Sequence, residues 1–256
     1  AVFAALGKDP AEGFRVFFLN PVKDLYALSE LLLKATPLML CAIGLAIGFR
    51  ANVWNIGAEG QFMLGAVAAT GVALYFGDAE SALVLPAMVL AGAAGGAAWA
   101  AIPALLRTRF NANEILVSLM LVYVAQLFVS WLVFGPWKDP DGFNFPQTRM
   151  FAEAATLPMV IEGTRLHFGF AIALAALVAG YAFMNRSHAG FRMRVAGEAA
   201  DAARYAGFSA TRMIWVGLLL GGAAAGLAGM GEVAGPMGQL TDKVASGYGF
   251  AAIIVA

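Results

Sequence analysis

An all-α bundle of membrane-spanning helices is the architecture this chain predicts, on three observations. Hydrophobic residues make up 61% of the sequence and charged residues only 12%. The apolar residues come in long blocks, without the charged outer face that a soluble amphipathic fold requires. The charges are sorted along the chain, although the formal net charge is zero.

A helical span needs about 20 apolar residues. Blocks of that kind run over 29–49, 56–76, 82–106, 114–135, 167–184 and 213–230, with the start of another at 247–256. The whole of 1–256 then reads as one transmembrane domain. The chain stops inside the apolar run "GFAAIIVA" and opens on a short apolar stub, "AVFAALGKDP", without the basic n-region of a signal peptide. It is therefore expected to be a truncated part of a longer protein. Cys41 is the single cysteine, so no intrachain disulfide or thiolate cluster is available.

Sidedness follows from the arginines. Segments 107–113 and 185–212 carry Arg107, Arg109, Arg186, Arg192, Arg194, Arg204 and Arg212 against Glu198 and Asp201. Lys and Arg in short loops mark the cytoplasmic side. In 1–25, 77–81 and 136–166 the acids Asp9, Glu12, Asp78, Glu80, Asp139, Asp141, Glu153 and Glu162 outnumber Lys8, Arg15, Lys138, Arg149 and Arg165. Counting spans alternately puts these segments on the opposite side. The stretch 136–166 is broken by Pro136, Pro140, Pro146 and Pro158 and reads as an ordered outer loop with a short helix near 150–156. Trp131 and Trp137 at its start suit an interfacial aromatic belt.

Small residues fill "AGAAGGAAWAA" at 91–101 and "GLLLGGAAAGLAGMG" at 217–231. Close helix packing accounts for them, since small residues let backbones approach inside a bilayer. The polar stretch "FRANVWNIGAEGQFMLGA" at 49–66 is harder to place. A charge at a helix centre in lipid costs roughly 2.5 to 3.5 kcal/mol on insertion scales. Asn55 is placed to N-cap a helix starting near Ile56. Arg50 and Glu59 then either pair or point into a wet pathway, at a discontinuous helix of the kind tolerated only beside protein or water. The other reading puts the whole turn at the cytoplasmic interface, with its charges solvated.

The segment "GEAADAARYAGF" predicts a short alanine-rich helix after Gly197, stopped at Gly207, with acids at its start and Arg204 near its end. It is too polar to span and too short to stand alone, so a docking partner is expected; a plain orientation signal is the alternative. His167 and His188 are isolated from other metal-ligating residues, and no GxxxxGK[ST] phosphate loop occurs. The basic segment lacks the interleaved aromatics of a nucleic-acid surface beyond Tyr205, so no nucleic-acid partner is expected.

Four stretches in order, "FRANVWNIGAEGQFMLGA", "NANEILVSLMLVYVA", "GFRMRVAGEAADAARYAGFS" and "AGMGEVAGPMGQLTDKVASGYGFAAIIVA", resemble permease subunits of ABC importers of the branched-chain amino acid and simple-sugar type, nearest the nucleoside-uptake branch. The resemblance covers nearly the whole chain. It implies a multi-pass permease of the cell inner membrane, with short or discontinuous helices near the translocation pathway. Implied partners are a separate ATPase holding ATP and Mg, a second permease subunit, identical or different, and an extracytoplasmic binding lipoprotein. The chain itself would bind no cofactor and catalyse no reaction. Asn55, Glu59, Gln61, Asn113 and Glu114 become pathway candidates, although Glu114 equally suits a first-turn acid at a helix N-terminus. Gly197, Glu198, Ala202, Ala203, Arg204 and Gly207 become the coupling segment toward the ATPase. Val122 stands where similar nucleoside permeases carry Asn, and Ala199–Ala200 where they carry Asn-Pro. Nucleosides lead as solute, with simple sugars or branched-chain amino acids as alternatives. An ion-coupled secondary transporter is the competing mechanism, with Glu59 and Glu232 its intramembrane acids.

Overall fold

A computed structural model describes residues 7, 9–77 and 80–256; Lys8 and Asp78, two of the charges sorted above, lie outside them. Among the described residues there is no strand, and extended pairing is confined to isolated antiparallel bridges between Gln147 and Thr241 and between Met159 and His167. Helix α1 spans Pro10–Phe14, opened by Asp9, whose carboxylate accepts from the Ala11 N–H. After a π turn at Arg15–Leu19 and a 3-10 turn at Asn20–Val22 come α2 (Leu25–Arg50), α3 (Ala58–Phe76), α4 (Val84–Phe110) and α5 (Glu114–Phe134). Then follow α6 (Gly169–Arg186), α7 (His188–Glu198), α8 (Ala200–Tyr205), α9 (Ala210–Glu232) and α10 (Tyr248–Val255).

Among the described residues, five helices are long and apolar enough to cross a membrane: α2, α4, α5, α6 and α9 with its π extension to Met237. The apolar block at 56–76 is not among them. Its helix, α3, carries Glu59 and Gln61 in its first turn, and both are buried. Because α3 packs against α4, α5 and α9, these polar groups meet protein rather than hydrocarbon.

Backbone proximity holds the centre together. A Cβ on Gly96 of α4 would lie 2.7 Å from the Gly226 Cα of α9, and Gly65 of α3 meets the same Gly226. Side chains there would force the helices apart, so the small-residue runs act in packing.

The two ends of the bundle differ. At one end, Gly197 of α7 rests against the last carbonyl of α2, Arg107 pairs with Glu114, and Trp215 Nε1 donates to Thr108 Oγ1 at 3.3 Å. At the other end, the 136–166 loop grips the chain that follows α9. Thr148 N–H donates to the Leu240 carbonyl at 2.9 Å, Phe151 N–H to Gly238 at 2.8 Å and Leu157 N–H to Ala234 at 2.7 Å. Arg165 ties the loop's end to Glu30 on α2. The helix expected near 150–156 is a single 3-10 turn at Glu153–Ala155, because the flanking N–H groups are committed to 234–240. Trp131 is exposed beside Phe128. Trp137 is half-buried, its ring 3.4 Å from where a Gly71 Cβ would sit on α3.

Candidate functional site

The turn between α2 and α3 is built on Asn55. Its Oδ1 accepts from the Gly57 N–H at 3.0 Å, which bends the chain two residues ahead of itself. The same amide pairs with Gln61: Asn55 Nδ2 donates to Gln61 Oε1 at 2.8 Å, and Gln61 Nε2 donates back to Asn55 Oδ1 at 3.1 Å. The helix consequently starts at Ala58, with Gly57 as its N-cap residue and no side-chain cap. The expected capping of a helix at Ile56 by Asn55 does not occur, since that side chain is spent on the turn. Ser118 of α5 secures the turn from outside, accepting from the Ile56 N–H at 3.2 Å. Asn55 and Gln61 are both buried, and their amides satisfy each other.

Glu59 sits differently. It does not pair with Arg50, which is exposed at the end of α2. Its carboxylate accepts from the backbone N–H of Gly247 at 2.7 Å and from that of Gly249. These are the N-cap residue and second residue of α10. Glu59 also lies in the first turn of α3. One carboxylate therefore faces the positive ends of two helices, each equivalent to roughly half an elementary charge, which explains a buried acid that pairs with no cation among the described residues. The glycines are required by the geometry. Gly247 has φ +85°, and a Cβ on Gly249 would lie 2.6 Å from the Glu59 Cα.

Beside this junction is a cavity of about 200 Å³, lined by Glu59, Met63, Val122, Gln126, Asp242 and Phe250 among others. Glu59 is thus the pathway candidate that lines this cavity; Asn55 and Gln61 brace the turn behind it. Asn113 is the N-cap of α5, accepting from Ile115 N–H at 2.9 Å and Leu116 N–H at 3.4 Å. Glu114 is ion-paired with Arg107 across the α4–α5 connection. Neither lines the cavity beside Glu59.

The coupling candidates divide in two. Gly197 and Glu198 close α7 instead of opening the alanine-rich helix, because Ala199 breaks the run at φ −144°, ψ 76°. Helix α8 starts at Ala200. Ala203 is buried, while Ala202, Arg204 and Tyr205 are exposed. Arg204 is bonded to Asp201 at 2.7 Å. Gly207, at φ +77°, ends the turn, with the Phe208 N–H returning to the Ala203 carbonyl at 2.9 Å. Gly197 connects the two regions: a Cβ there would lie 3.1 Å from the Arg50 carbonyl carbon, at the start of the turn that leads to Glu59.

Sequence reasoning missed Gly247, Gly249, Ser118, Gln126 and Asp242. The signal for the first two was the Gly-x-Gly of "SGYGF", but nothing in the sequence joins it to Glu59.

The family model described as branched-chain amino acid transport system / permease component matches residues 27–256. A glucose ABC transporter permease protein of Haloferax volcanii is 41% identical over 262 residues, covering 98% of this chain and 68% of that protein. A guanosine ABC transporter permease protein of Bacillus subtilis is 32% identical over 256 residues, covering 98% and 72%. A nucleoside ABC transporter permease protein of Lactococcus lactis is 27% identical over 252 residues, covering 96% and 69%. No solved structure matches the chain.

Proposed function

The chain belongs to the permease family of the branched-chain amino acid transport system, a multi-pass membrane subunit of an ABC importer, and from that premise we propose that it passes nucleosides along a path gated at Glu59. The carrying observation is the junction of two helix N-termini on one carboxylate, beside a cavity. Pulling α3 and α10 apart frees a carboxylate and backbone N–H groups, which are acceptors and donors for a neutral polar solute. The ring of such a solute would slide along Met63, Val122 and Phe250.

Energy would come from an ATPase docked on α8, with Asp201, Ala202, Arg204 and Tyr205 as the offered surface. Movement there reaches the junction through Gly197, the α2 end and the Asn55 turn. The 136–166 end would receive a binding protein, and a second permease subunit would complete the path. This reading puts α7–α8 in the cytoplasm, in keeping with its arginines.

A second solute reading, simple sugars, is favoured by a relative named for glucose at 41% identity. Val122, which stands where the resemblance gives nucleoside permeases an Asn, weakens the nucleoside reading.

Uptake of labelled guanosine and glucose by cells holding the complete system tests this. Glu59→Gln keeps the shape but replaces an acceptor-only group by one that also donates toward the Gly247 and Gly249 N–H groups. Uptake is expected to fall at least about tenfold, the effect of losing a charge-assisted hydrogen bond, and Glu59→Leu to abolish it. Normal uptake by the Leu variant would remove Glu59 from the path.

A further inference from the structure

A second polar cluster lies on the other side of the α10 first turn. Lys34 is on α2, nine residues past its start, or about 14 Å along a helix about 39 Å long. With a hydrocarbon core about 30 Å thick, this residue falls within the lipid-facing range. Its side chain is nevertheless 58% exposed, while Glu232 at the end of α9 is 8% exposed. A lysine open to hydrocarbon at such a depth is costly, so this face of α2 meets water or polar groups.

The ammonium is held in place. Lys34 Nζ donates to the Tyr248 hydroxyl at 2.8 Å, and Glu232 Oε1 lies 3.8 Å away, beyond hydrogen-bond range. Among the described residues nothing donates to the Glu232 carboxylate. Tyr248 is buried and its ring faces Phe62, with centroids 5.9 Å apart. Lys34 thus keeps two free N–H donors next to a carboxylate that accepts nothing, across a gap of the size that a bridging oxygen fills. The pair is neutral overall, so it has no net attraction for an anion or a cation.

We propose that Lys34, Glu232 and Tyr248 form a hydroxyl-binding site that reads two adjacent hydroxyls of a sugar ring on the transported solute. One hydroxyl accepts from the Lys34 ammonium, and its neighbour donates to Glu232. The phenol of Tyr248 fixes the ammonium in place. Because Tyr248 is the first residue of α10 and lies between the two glycines held by Glu59, the ring would be felt at the junction. This proposal rests on the reading that the solute carries a sugar ring.

The test uses the complete importer in proteoliposomes, with labelled guanosine, glucose, leucine, and the dideoxy counterpart of whichever sugar-bearing solute the wild type carries. Lys34→Met is expected to raise the half-saturation concentration about tenfold or more, and to reduce the preference for the diol over its dideoxy counterpart by a similar factor. The amount of ATPase and second permease co-purified should stay unchanged. Lys34→Arg, which retains donors, should recover part of the preference, and Glu232→Gln should weaken it. An unchanged preference in Lys34→Met would overturn the proposal while leaving nucleoside or sugar transport standing. Loss of the second permease from purified Lys34→Met would also overturn it, making Lys34 an interface residue. Leucine uptake with no guanosine or glucose uptake by the wild type would overturn the solute reading and this site together.

Discussion

The 136–166 loop and the α7–α8 segment lie at opposite ends of the bundle, and both are too polar to span a membrane, yet the fold treats them oppositely. The loop is stitched to the chain after α9 by backbone hydrogen bonds at Thr148, Phe151 and Leu157. It buries Thr148, Ala155, Leu157, Thr164 and Leu166. Helix α8 buries only Ala203 of its six residues and leaves Tyr205 97% exposed. One end completes its own interior. The other presents a short helix held to the rest of the chain by one buried side chain, as a segment awaiting a partner would be. Substitutions at the open end are therefore tolerated by the fold, and those at the closed end are not.

Damage to the closed end should cost most. Leu157→Asp puts a charge where a buried side chain packs, and several kcal/mol are lost when a charge is buried unpaired. Purified folded protein should be nearly absent, and full yield with an unchanged melting temperature would contradict the packing described.

A smaller effect should appear with pH at the same end. Burial pushes His167 down to about 4 from an ordinary value of 6.5. The neutral ring accepts from the Gly169 N–H at 3.1 Å and lies against Gly235, where a Cβ would come within 2.5 Å of Nε2. The unfolded chain takes up a proton below about 6.5 that the folded chain refuses until about 4. Stability is therefore complete above that range and falls as pH drops through it, by up to about 3 kcal/mol. Melting in detergent should drop between pH 7 and pH 5, and His167→Asn should flatten the drop. An equal slope in the variant would assign the pH dependence elsewhere.

Much of this was legible in the sequence, because apolar block length is set by bilayer thickness and the helices follow the blocks. The glycine runs at 91–101 and 217–231 announced close packing, but not that Gly96 and Gly226 would meet. The start of α3 was misjudged because Asn55 served a turn and an amide pair instead of a cap, two uses that look alike in sequence. Glu59 was recognisable as a polar residue needing a reason. Its reason lay at Gly247 and Gly249, far along the chain and contributed by backbone N–H groups, which leave no side-chain signature. The grip of the outer loop was hidden for the same cause. In the coupling segment, the exposed residues share an alanine-rich run with buried Ala203, and composition could not separate them.

The open end gives the smallest effect on folding and the most direct test of the account. Tyr205→Glu changes an exposed side chain on α8, so the melting temperature of the isolated permease should stay unchanged. Affinity-purified wild type should bring down an ABC-type ATPase, and the Tyr205→Glu variant, equally folded, should not. Retention of the ATPase at wild-type level by that variant would contradict docking at α8.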